Sequence, residues 1–380
     1  MPAPKSMKKW VVAGLFAVGA LLGGAAAVWL ERAPLLTWYC MSGLERATDQ
    51  DRALWADRVA GLGEAAEPAV LASLAGADDG VCRNAGAVLE RWTGQWDGAD
   101  GRAAGLAERM AKSFGDCSPK GRCVVLDSAA AWFRPDSVKP AGALLTSCAR
   151  LVTEAAEVPE GETHAAALNL FSQALDHMEA AREMLASGRP LVRKALYDEP
   201  AAIRLSAVKA SLHYAPDLLD DVAVLLKDPA PEVRRAALAA VGPADEKQVP
   251  AKSLLPVLHD SDPAVRKACE DVLRNNRRLS PLSFKIGWCL CHPDPAERLN
   301  VLDYLQRGAD VEPGVWLREL SHDDSAAVRL AALRAMTQQD VVDLSDRLQQ
   351  MAESDASPTV CQIARLYQKW TKTPVHDGER

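Results

Sequence analysis

Arginines 204, 234, 266, 298 and 329, followed by Cys361, stand in the second half of this chain at steps of 30, 32, 32, 31 and 32 residues. Four of the arginines follow an aspartate by six positions: Asp198/Arg204, Asp228/Arg234, Asp260/Arg266 and Asp323/Arg329. Two half-kept copies, His292/Arg298 and Asp355/Cys361, extend the row. A fixed period of this length means stacked supersecondary units, none of which buries its apolar face alone. No period-2 run bounded by hairpin turns interrupts it, so the chain reads as all-α.

One copy, residues 226–242, shows why each unit is helical. Asp228 is placed to cap the helix that follows. Pro229 or Pro231 suits a first turn, where a missing N–H costs nothing, and Glu232 lies near the positive helix end. Val233, Ala237 and Val241 make an apolar stripe at i, i+4 and i+8, and Gly242 stops the helix. The same grammar returns at Asp262-Pro263-Ala264-Val265-Arg266, at Asp294-Pro295 before Arg298, and at Ala327-Val328-Arg329.

Over residues 190–370 this pattern resembles the HEAT repeat family, in its short bacterial HEAT-like form. The resemblance implies an α-solenoid of stacked antiparallel helical hairpins in which Asp and Arg form a ladder. An arginine fork is suited to joining carbonyls and a carboxylate where units meet. Loss of Arg266 is therefore expected to destabilise more than loss of Arg235, a solvated charge. Residues 49–189 read as the same architecture, more degenerate. Asp116/Arg122 again lie six apart, and residues 138–158 and 163–187 read as long helices with Gly161 and Gly188 as breaks.

Residues 10–30 form an uncharged, apolar run preceded by Lys5, Lys8 and Lys9. At about 1.5 Å per residue it matches a hydrocarbon core of roughly 30 Å. The lysines predict residues 1–9 in the cytoplasm and the bulk of the chain across the membrane, in a periplasm-like compartment. A cleaved signal peptide ending near Ala25-Ala26-Ala27 is the competing reading. Apolarity through Val28, Trp29 and Leu30 favours the retained anchor. Residues 31–48 then read as a juxtamembrane linker and 371–380 as a tail.

Charge narrows the partner. The chain is net −7, and the first 33 residues hold four of its 44 basic and one of its 51 acidic groups, leaving net −10 beyond them. That disfavours nucleic acid. Positions one and five after the arginine register are expected to be exposed on the second helices, which in the HEAT family line the concave side. They include Lys209, Arg235, Lys267, Asp271, Asp303 and Arg334, with Leu205, Leu299 and Leu330 among them. Such a mixed surface favours a protein or peptide partner.

No chemistry is named by the sequence. Cys289-Leu290-Cys291-His292 is one residue short of a haem attachment run, and its register fits packing. Cys269 occupies the slot of Ala207, Ala237 and Ala332, and Cys117 with Cys123 could form a local disulfide. His259, His292 and His322 recur before successive second helices. Stacked helices are about 8–10 Å apart, too far for neighbouring rungs to share a metal ion. The resemblance extends to HEAT-like enzymes, namely iron-dependent deoxyhypusine hydroxylases and phycobilin lyases. Here the Asp of each His-Asp pair is the ladder residue, so the iron motif is not met. The leading expectation is a membrane-tethered scaffold without cofactor. A HEAT-like metalloenzyme or tetrapyrrole lyase and a structural envelope protein are the alternatives.

Overall fold

The computed structural model describes residues 34–134, 142–176, 178–214, 217–276, 279–307, 312–338 and 345–371. The expected cytoplasmic tail 1–9 and membrane span 10–30 lie outside the described residues, as does the tail beyond Thr371. Among the described residues every regular element is a helix, and none is long and apolar enough to cross a membrane. The helices group into two compact units that divide between Tyr214 and Ala215, later in the chain than the change in repeat quality at 189/190.

In the N-terminal unit each helix packs on the one two places along. Pro119–Ala130 lies on Gly161–Leu175, and Gly142–Glu157 on Met178–Ala195. Gly161–Leu175 and Met178–Ala195 also pair as a hairpin. Trp92, Phe114, Trp132, Phe133 and Phe171 are fully buried between these layers. Buried indoles need a partner for their N–H; Trp92 Nε1 donates to Ala60 O at 3.1 Å and Trp132 Nε1 to Trp96 O at 3.0 Å.

Three expectations about this half need correction. Residues 34–45 are not a free linker: they form a helix that buries Cys40, Met41 and Leu44, with Tyr39 set edge-on to Trp55 at 5.7 Å. Gly161 does begin a helix, but Gly188 lies inside Met178–Ala195. A Cβ at Gly188 would sit 2.4 Å from the Phe171 ring and 2.8 Å from Tyr214 Oη, so close packing, and not helix termination, requires glycine there. All nine cysteines are free thiols. Cys117 Sγ donates to Ser113 O at 3.3 Å and does not pair with Cys123.

In the C-terminal unit the second helices of the repeats run Pro231–Val241, Pro263–Asp271, Pro295–Arg307, Ala326–Met336 and Pro358–Thr371. Proline opens four of the five, where its fixed φ is already helical. Asp262 caps its helix through bonds from Ala264 N and Val265 N at 2.8 and 3.1 Å. Val233, Ala237 and Val241 are wholly buried, as are Val328 and Ala332, and Cys269 fills its small slot without exposure. In this row Pro231–Val241 packs on Pro263–Asp271, Pro295–Arg307 on Ala326–Met336, and Ala326–Met336 on Pro358–Thr371.

Candidate functional site

The recurring charges meet in the loops that lead into the second helices. Arg234 Nη1 donates to the carbonyls of Asp228 (2.7 Å) and Pro229 (3.1 Å), which closes its own loop. Its Nε and Nη2 reach the next repeat and grip Asp260 Oδ2 and Oδ1 at 2.7 and 2.6 Å. Arg298 repeats this with the carbonyls of His292 and Pro293 and with the Asp323 carboxylate at 2.6 and 2.9 Å. Arg329 does so with the carbonyls of Asp323 and Asp324 and with Asp355 at 2.9 and 2.8 Å. Each of these aspartates also accepts the N–H two residues on: Asp262 N to Asp260, Ser325 N to Asp323 and Ser357 N to Asp355, at 2.7–2.8 Å. Bidentate, charge-assisted bonds of this kind are the strong ones.

The sequence pairs each Asp with the Arg six residues later, yet that pair touches only through the aspartate carbonyl. The ion pair runs from Arg234, Arg298 and Arg329 to the following repeat. Burial pushes the Asp260 and Asp355 carboxyls up, but the arginine fork and the backbone N–H outweigh it, and both end below the usual carboxylate range. At the end of the row Cys361 Sγ keeps only the carbonyl contact, to Asp355 O at 3.2 Å. Arg266 departs from expectation: it bonds the carbonyls of Asp260 and Ser261 and holds no carboxylate, because His292 stands where the next aspartate would be. It is not a hub between repeats.

In the N-terminal unit Arg204 Nη1 bonds the carbonyls of Asp198 and Glu199. His164 plays the arginine's part, a role the sequence did not disclose. Its Nε2 lies 2.9 Å from Val158 O, six residues back, and its Nδ1 lies 2.7 Å from Asp198 Oδ2. Both partners are hydrogen-bond acceptors. Arg122 reaches Glu160 at 3.1 and 3.3 Å and the carbonyl of Gly115 at 3.1 Å, bypassing Asp116. Sequence reasoning also missed Arg347, which is 7% exposed and ties its helix to Ser321 Oγ and O, both at 2.7 Å. It has no acidic partner at a fixed spacing, so no periodic signal marks it.

The candidate surface residues fall into three groups. Lys209, Arg235, Asp303 and Arg334 are exposed. Lys267 and Asp271 neutralise each other through a bond of 2.9 Å. Leu205, Leu299 and Leu330 are half-buried and not exposed; Leu299 and Leu330 pack against the core clusters of their repeats. Of the histidines, His259 and His292 are closer than the helix spacing predicts, with ring centres 5.0 Å apart, because His259 ends the short helix Leu255–His259, His292 follows Pro281–Leu290, and both pack on Trp288. His259 Nε2 lies 2.7 Å from Trp288 O, and burial, the neighbouring His292 and Arg266 together hold His259 below its usual range. His322 shares with His292 a surface groove of about 520 Å³. No group of three or more His, Cys, Asp or Glu among the described residues is arranged to hold a metal ion.

No protein-family model matches this sequence, and no curated protein does so at a significant level. Among solved structures, a crystal structure of importin beta is similar with a TM-score of 0.47 and 13% identity, over 88% of this chain and 53% of that one. This chain thus spans about half the length of that importin beta. A microtubule polymerase with an array of tumor overexpressed gene (TOG) domains, from a study of tubulin recruitment, gives a TM-score of 0.26 and 11% identity over 84% and 85% of the two chains. An engineered protein gives 0.29 and 15% over 89% and 99%.

Proposed function

We propose that this chain is a helical-repeat scaffold for protein partners, tethered by residues 10–30 to a membrane and facing the non-cytoplasmic side. The observation that carries the scaffold reading is the use to which the repeated charges are put. Asp260, Asp323 and Asp355 are bound up with Arg234, Arg298 and Arg329 in holding repeats together. What remains exposed at repeating positions of the C-terminal unit carries both signs, including Arg235, Asp303 and Arg334. Extended surfaces of this kind bind by area and complementarity. The uncharged run behind Lys5, Lys8 and Lys9 supports the anchor and its orientation.

Crosslinking in intact membranes, followed by identification of what copurifies, tests the scaffold reading. A reproducible protein partner that is lost when Arg235 and Arg334 are both changed to Glu is the expected result. Recovery of no partner, together with turnover of a small molecule by the purified chain, would reverse it. Resistance to carbonate extraction and protease accessibility from outside the cytoplasm test the tether.

A further inference from the structure

Arg234, Arg298 and Arg329 find their carboxylates 26, 25 and 26 residues ahead. From Arg266 the same stride reaches His292. His292 keeps half of the aspartate's task, since its Nδ1 accepts the Asp294 N–H at 3.1 Å as Asp260 Oδ1 accepts that of Asp262 at 2.8 Å. A neutral imidazole has one acceptor nitrogen, so that ring has nothing left to offer a guanidinium. Arg266 is therefore bonded through Nη1 alone, to Asp260 O at 2.7 Å and Ser261 O at 3.2 Å. Its Nε and Nη2, the atoms that grip carboxylate in the other three rungs, meet no acceptor among the described residues. The side chain is exposed, whereas those of Arg234, Arg298 and Arg329 are 10%, 13% and 11% exposed.

A further feature lies near this open fork. Trp288, 37% exposed, packs with His259 and His292 at ring separations of 5.0 Å, and His259 is close enough to Arg266 to feel its charge. Arginine and tryptophan are both enriched among the few residues that carry most of the binding energy at protein interfaces.

We propose that the open fork of Arg266 is a docking point for an acidic side chain of a protein partner, which takes the place of the missing in-chain aspartate while Trp288 supplies the apolar contact beside it. The three complete rungs show the geometry that such a carboxylate adopts. The site rests on the scaffold reading and narrows it to a partner whose docking segment carries Asp or Glu.

The test uses the full chain and a dye-labelled heptapeptide with three acidic residues and one leucine, beside its Asn/Gln counterpart, followed by fluorescence anisotropy. The acidic peptide should bind at least tenfold more tightly than the amide version. Arg266→Gln and His292→Asp should each weaken it at least tenfold, the second by closing the rung from within. Asn275→Asp, the same charge change on an exposed neighbour, should alter it less than twofold. His292→Asp should also melt higher than the parent chain, and Arg266→Gln should not. Equal binding of the two peptides, or acidic binding retained by His292→Asp, would overturn the site. So would a dimer of the parent chain that His292→Asp abolishes, since the fork would then belong to a second copy. A membrane partner still captured by His292→Asp would overturn this site and leave the scaffold reading standing; capture of no partner by either chain would undo both.

Discussion

Each complete ladder arginine holds two carbonyls of its own loop and one carboxylate of the next, so its removal leaves a carboxylate stranded. Asp323 is 7% exposed and depends on Arg298 for its charge partner. Arg298→Ala should cost about 3 kcal/mol, since breaking a buried pair from one side leaves an uncompensated charge. Arg266→Ala removes two carbonyl bonds from an exposed residue and should cost about 1 kcal/mol. Urea denaturation ranks the two, and equal losses would mean that the open rung at Arg266 does not differ from the complete ones as the geometry indicates. Acid acts at the same scale. Asp260 and Asp355 have folded pKa values below their unfolded ones, so their contribution is present above the unfolded value, near 4, and is lost as pH falls through the folded value. His259 is also depressed below 6.5, so the folded chain prefers its neutral ring. Its contribution is full above 6.5 and declines as pH falls toward its folded value. Burial depresses His322 in the same way, so melting temperature against pH should fall in two stages, and His259→Gln with His322→Gln should remove the upper one.

Individual helices were legible where a cap and a proline coincide, as at Asp262-Pro263, because both signals are local. Glycine was not legible in the same way. Gly188 and Gly121 lie within helices and answer to residues far along the chain. A Cβ at Gly121 would stand 2.1 Å from Leu74 O, the carbonyl that Ser118 N and Oγ both bond at 3.0 Å to dock one helix on another. Gly94, also helical, has open space around its missing side chain. Gly121→Ala should thus lower stability by more than about 2 kcal/mol through backbone displacement, while Gly94→Ala should raise it by up to about 1 kcal/mol through helix propensity and a less free unfolded chain. Thermal melts of the two variants check this, and a shift in the same direction would contradict the packing. The register argument failed at Leu205, Leu299 and Leu330 for a similar reason: it fixes a position along the helix but not the breadth of the apolar face that neighbouring repeats cover.

Across the molecule, the period announced stacked helices, while the connection that uses it stayed hidden. Aspartate and arginine lie six apart in sequence, whereas the ion pairs span 25 or 26 residues, and nothing in one repeat says which partner its arginine chooses. In the N-terminal unit the same role passes to His164 with Asp198 and to Arg122 with Glu160, at spacings of 34 and 38, which erases the periodic signal and leaves the geometry. Stability in such an array is a sum of repeat and nearest-neighbour contributions, so the tie between adjacent rungs is the quantity on which the whole depends. A double-mutant cycle on Arg329 and Asp355, with each changed to Ala singly and together, measures it directly. A coupling of about 2 kcal/mol is predicted for this bidentate pair, whose side chains are 11% and 5% exposed. Coupling below about 0.3 kcal/mol, the level of independent sites, would contradict the claim that arginine joins neighbouring repeats at the complete rungs.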